Sequence, residues 1–157
     1  MNATGKRIAV ERPCRFLSVN SGRVVDVLGG SNEENAKVVQ YPWHAGSNQL
    51  WNLVPERDNE GDYLRIVSVK SSKCLTVLGV ENGKGGLVVQ SAWRNSASQK
   101  WTLNQIESGI YQIVCKAGQK EGYVLAVESS SLNDGAPLVL AKEDPPSLEQ
   151  QWMPTSF

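Results

Sequence analysis

The chain has 157 residues, enough for one domain with a sizeable core, and its sixteen basic and sixteen acidic residues cancel to zero formal charge. That balance offers no basic field to nucleic acid or to an anionic membrane, so both are set aside as partners. No apolar run approaches the roughly 18 residues of a membrane-spanning helix, and the opening Met1-Asn-Ala-Thr-Gly-Lys-Arg has no signal-peptide core. A cytoplasmic protein is therefore expected, with non-classical release left open.

Short apolar stretches broken by Gly, Asn and Pro run through the whole chain, which is the period of strands rather than helices. The first four strands are predicted at 16–19, 24–27, 38–41 and 51–54. The next four fall at 64–69, 74–77, 87–90 and 101–104, and the last at 110–115, 124–127, 137–140 and around Trp152. Turns are supplied by Asn20-Ser21-Gly22, Gly29-Gly30, Asn82-Gly83, Gly85-Gly86 and Asn133-Asp134-Gly135.

The three groups are one unit repeated at a spacing of about 50 residues. Each closes on Gln-x-Trp: Gln49 and Trp51, Gln99 and Trp101, Gln150 and Trp152. Each carries a matching inner strand, Val-Val-Asp-Val at 24–27, Cys-Leu-Thr-Val at 74–77 and Val-Leu-Ala-Val at 124–127. The apolar positions persist, while Asp26 becomes Thr76 and then Ala126. Four short strands cannot bury a core alone. The expected architecture is therefore all-β, with three pseudo-repeats (about 8–56, 57–106 and 107–157) closing one domain, 1–157, around a pseudo-threefold axis. The three indoles, each hiding about 150–250 Å², would fill the shared interior. The Gln two residues before each would satisfy backbone groups where loop meets strand. Three cysteines cannot all pair, and Cys74 stands where the other copies have Val24 and Val124, so reduced thiols in a packed interior are expected.

Three Gln-x-Trp units with Leu-Asp-Val-like strands, and an Asn before the first Gln, resemble the ricin-B-type β-trefoil lectins over essentially the whole chain. The stretch Val-Gln-Tyr-Pro-Trp-His-Ala-Gly-Ser-Asn-Gln is similar to small single-domain fungal and bacterial members. The resemblance implies a twelve-stranded β-trefoil that binds sugars, with galactose or N-acetylgalactosamine as the first guess, and without a cofactor. It also implies an aromatic platform about fifteen residues after the Asp and seven before the Asn, which is Tyr41, and a polar contact at His44. Many relatives carry a Gln two residues before that aromatic; here Val39 removes the hydrogen bond.

The residues themselves point the same way. A sugar offers a patch of C–H groups and a fan of hydroxyls, so its site needs an aromatic face and fixed acceptors and donors. Asp26 is a two-oxygen acceptor able to make charge-assisted hydrogen bonds, and Asn48 offers a donor and an acceptor in one amide. Tyr41, Trp43 and His44 lie between them, and the Gly29 turn follows the Asp strand. If Val38 points inward, Val39 and Tyr41 face the other way and Gln40 faces the interior, unless a bulge shifts the register. Trp43 is either packing or platform, because Trp93 occupies the same place in the second copy. That copy offers Thr76, Ser91, Arg94 and Ser98, expected to bind weakly at most. The third offers Ala126, Ala141, Asp144 and Glu149, expected not to bind. One site on a dozen-atom sugar gives about 4 kcal/mol, hence millimolar affinity, so an extended glycan or a homodimer would be needed for avidity.

Two other readings stand beside the lectin. A β-trefoil protein–protein module such as a protease inhibitor would use its loops, 142–149 being the longest candidate. An enzyme would need a nucleophile, base and orienting group together. The single histidine, His44, lies beside sugar-type residues, and no metal or phosphate motif is present, so an enzyme is not expected.

Overall fold

All twelve strands are present in the computed structural model, which describes residues 12–79 and 86–156. They are β1 (Cys14–Ser18), β2 (Val24–Val27), β3 (Val38–Tyr41), β4 (Trp51–Asp58), β5 (Gly61–Ser68) and β6 (Cys74–Leu78), followed by β7 (Leu87–Ser91), β8 (Trp101–Glu107), β9 (Ile110–Cys115), β10 (Tyr123–Val127), β11 (Leu138–Lys142) and β12 (Trp152–Ser156). Two predicted turns, Asn82-Gly83 and the first glycine of Gly85-Gly86, lie outside the described residues.

Six strands close on themselves. Antiparallel pairing runs β1–β4–β5–β8–β9–β12 and returns to β1, so this barrel has no open edge. The other six form the hairpins β2–β3, β6–β7 and β10–β11. These meet one another through single bridges, Lys37 with Val89, Val39 with Pro137 and Leu87 with Val139. The result is the β-trefoil, a barrel capped at one end by three hairpins.

The three tryptophans hold hairpin to barrel. Trp51, Trp101 and Trp152 are fully buried. Their indole N–H groups donate to the carbonyls of Val25, Leu75 and Leu125 at 3.2, 3.0 and 3.1 Å. One residue type thus supplies both the apolar filling and the hydrogen bond that fixes its orientation. The paired glutamines are equally regular. The side-chain amides of Gln49, Gln99 and Gln150 donate to Pro42, Ala92 and Lys142 carbonyls at 2.9, 2.8 and 2.7 Å. Their amide oxygens accept from the backbone N–H of His44, Arg94 and Asp144. Gln-x-Trp is a folding device.

A second set of glutamines stitches one repeat to another. Gln40 is fully buried and donates to the Ser131 and Asn133 carbonyls of the third repeat, while Gln90 does the same for Ser31 and Glu33 of the first. Strand alternation therefore runs through β3 without a bulge and leaves Tyr41 outward. Val39 is buried as well, because that face is covered where the hairpins meet. Cys14, Cys74 and Cys115 are free and buried. Burial pushes the Cys14 thiol up to about 11 and that of Cys115 to about 12, and raises Cys74 too, which leaves each an inert core side chain. Among the described residues no helix is long and apolar enough to cross a membrane.

Candidate functional site

A hollow lies on the first repeat. Asp26, Leu28, Gly29, Gly30, Tyr41, His44 and Asn48 line a cavity of about 450 Å³. A larger groove of about 660 Å³ runs beside β4 and β5. Its carboxylates are ion-paired with arginines, Asp62 with Arg57 at 2.8 Å and Glu56 with Arg65, whereas the carboxylate of the first-repeat hollow accepts from neutral amides.

Asp26 forms the base. Its Cα partner across the hairpin is Val39, and only 3% of the residue is exposed. The carboxylate is aimed by amides: Gln49 donates to one oxygen at 2.8 Å, and Asn48 donates to the other at 3.2 Å. Asn48 also donates to the Val27 carbonyl at 3.1 Å. Desolvation by burial holds the Asp26 pKa above its ordinary value, against the lowering pull of Gln49, the nearby His44 and Asn48. The carboxylate is pre-aimed and poorly hydrated.

The walls follow from local geometry. Gly29 and Gly30 both take φ of 65°, a left-handed pair that glycine adopts without steric cost. The third repeat makes the same turn with Ser129 and Ser130 at φ of 54°. Tyr41, at the end of β3, is 42% exposed and presents its ring to solvent. The rings of Tyr41 and His44 meet edge-on, centroids 6.2 Å apart at 77°. His44 Nε2 stands 3.9 Å from Asp26 Oδ2. Gly46 makes this corner possible. A Cβ there would lie 2.5 Å from His44 Cε1 and 2.6 Å from Asn48 Oδ1, so only a bare backbone lets both side chains fold back.

Five of the six residues singled out in sequence border this one hollow: Asp26, Gly29, Tyr41, His44 and Asn48. Trp43 does not line it. The Arg15 guanidinium lies over the Trp43 ring at 4.8 Å, as Arg65 lies over Trp93 at 4.3 Å in the second repeat. Position 43 thus braces loop to barrel through Arg15 and stands outside the lining of the hollow. In the third repeat Gln112 and Glu143 make the same brace by a 2.8 Å hydrogen bond. Leu28 and Gly46 were not picked out in sequence, and Gly30 was read only as a turn residue. For Gly46 a signal existed: the matching positions hold Ser96 and Ser147, so glycine is confined to the copy with the carboxylate.

The other two copies are filled or stripped. Thr76 donates to the Cys74 carbonyl and accepts from Gln99, Ser91 donates to the Asn35 side chain at 2.8 Å, and Arg94 pairs with Glu34 at 3.3 Å. The first repeat's loop thereby covers the second repeat's polar groups. In the third, Ala126 leaves Gln150 without a side-chain acceptor at that place. Among the described residues no group of three or more His, Cys, Asp or Glu side chains is placed to hold a metal ion.

The chain matches the family model described as ricin-type beta-trefoil lectin domain-like over residues 11–85 and 47–141. No curated protein matches it. Among solved structures it is similar to the designed threefold-symmetric protein ThreeFoil, with 29% identity and a TM-score of 0.83, covering 92% of this chain and 99% of that one. It is also similar to an exo-beta-1,3-galactanase from Clostridium thermocellum, with 28% identity and a TM-score of 0.84 over 98% of this chain but only 32% of that one. A third is the ricin B-like lectin of Macrolepiota procera, solved with lactose, with 20% identity and a TM-score of 0.73 over 97% and 100%. The tripled Gln-x-Trp corner, the capped barrel and a family match spanning most of its length have one explanation: the chain belongs to the ricin-type β-trefoil lectin domain-like family.

Proposed function

We propose that the chain is a non-enzymatic lectin that binds galactose- or N-acetylgalactosamine-containing glycans in the hollow of its first repeat. The observation that carries this is Asp26: a buried carboxylate, aimed by two amides, at the base of a cavity whose rim holds an outward tyrosine. Adjacent sugar hydroxyls would donate to the carboxylate, the C–H face of the ring would lie on Tyr41, and His44 and Asn48 would fix its orientation. The galactose class is supported by the lactose of the Macrolepiota procera lectin, and by the N-acetylgalactosamine of the similar earthworm lectin half. The three thiols are buried with raised pKa, and His44 faces a carboxylate, so a Cys–His hydrolase has no support.

A glycan array at neutral pH tests this reading. Wild-type protein should bind terminal galactose or N-acetylgalactosamine, and Asp26→Ala should bind none of them while keeping its melting temperature. Retained binding in that variant would move the site elsewhere; a silent array for the wild type would end the lectin reading. One such site gives about millimolar affinity for a monosaccharide, so self-association would serve to raise avidity.

A further inference from the structure

One wall of the hollow is held by a residue from another repeat. Lys70, exposed in the turn between β5 and β6, donates from its ammonium to the Gly30 carbonyl. A Cβ on Gly30 would meet Lys70 Nζ at 3.0 Å and the Asn48 side chain at 3.8 Å. Ammonium and amide therefore flank the same glycine at the rim. The equivalent brace on the third repeat is Asn20, whose neutral amide donates to the Ser130 carbonyl at 3.5 Å. Steadying the turn does not require a charge.

An ammonium has three N–H donors, and Gly30 takes one. Among the described residues no carboxylate lies within ion-pair distance of Lys70. Asp26, the one carboxylate lining the hollow among the described residues, is buried and turned onto Gln49 and Asn48. A positive charge with donors to spare thus stands against Gly30, behind the lining of a sugar-sized cavity whose one buried carboxylate is held by neutral amides.

We propose that the hollow selects glycans bearing an anionic substituent, a carboxylate or a sulfate, next to the bound sugar, and that Lys70 is the residue that reads it. This rests on the lectin reading above. The test is calorimetric titration with lactose, sialyllactose and sulfated lactose, using wild type, Lys70→Asn, which keeps a brace of the Asn20 kind, and Lys70→Glu. Wild type should prefer either acidic ligand over lactose by about two- to fivefold at low salt, the range of an exposed ion pair, and the preference should shrink as salt rises. Lys70→Asn should bind all three alike, with lactose affinity within about twofold of wild type, and Lys70→Glu should reverse the order. Equal wild-type affinities, or a preference that survives in Lys70→Asn, overturn the selectivity while leaving the lectin reading intact. A uniform loss of all three ligands in Lys70→Asn reduces the lysine to a brace and also overturns it. Failure of every ligand on wild type fails both readings together.

Discussion

The corners below β2 and β6 are built alike and do different things. In both, a buried glutamine ties the following loop and a tryptophan anchors the hairpin. The same amide then meets the Asp26 carboxylate in one copy and the Thr76 hydroxyl in the other. Around Asp26 a tyrosine stands exposed and a glycine clears space for His44 and Asn48. Around Thr76 the polar groups are taken up by Asn35 and Glu34. The scaffold fixes a position next to each glutamine, and what occupies it is free to change because the barrel does not depend on it.

That separation can be broken from either side. On the scaffold side, Trp101→Ala should cost about 3–5 kcal/mol by chemical denaturation, since it removes a fully buried indole and leaves the Leu75 carbonyl unpaired. On the site side, Gly46→Ala should lower lactose affinity by about tenfold or more, because the new Cβ must displace His44 and Asn48; that corresponds to at least about 1.4 kcal/mol. Its effect on melting temperature should be slight, as Ser96 and Ser147 occupy the same place in the other copies. A Gly46→Ala protein with unchanged affinity would remove His44 and Asn48 from the site.

Asp26 couples the two sides through pH. Burial raises its pKa, so folding is penalised while the group is ionised, and the penalty disappears as pH falls through the raised value. Asp26→Ala should therefore be as stable as wild type or more so at neutral pH, and the difference should fade in acid. In the proposed function the sugar is held by the ionised acceptor, so wild-type affinity should fall on acidification earlier than an ordinary carboxylate would dictate. Titration calorimetry across that range checks both. Affinity that is flat with pH would mean that Asp26 does not touch the ligand.

Much of this was legible in the sequence, and for a physical reason. A symmetric core needs the same side chains at the same spacing, so Trp51, Trp101 and Trp152 declared the fold by repetition. The candidate site was marked by the opposite signal, departures from repetition: Asp26 against Thr76 and Ala126, Tyr41 against Ser91 and Ala141. What stayed hidden depends on chain segments distant in sequence. Lys70 reaches Gly30 across 40 residues, and Asn35 covers Ser91 across 56; neither contact follows from one repeat's pattern. The position of Trp43 was undecided because its partner, Arg15, comes from a different strand.

Trp43 gives the smallest expected effect on binding and the finest test of the comparison. Its ring sits under the Arg15 guanidinium at 4.8 Å and does not border the hollow. The same clamp recurs as Arg65 on Trp93, where no carboxylate site exists, and as Gln112 with Glu143 in the third copy. A feature present in all three repeats cannot be what makes the first one different. Trp43→Ala should therefore lower stability by about 1–2 kcal/mol, from a lost cation–π contact and partial burial. Lactose affinity should change less than about twofold, or about 0.4 kcal/mol. A tenfold loss of affinity without loss of stability would make the indole a sugar platform after all, and the first repeat's chemistry would then reach past Tyr41 into the clamp.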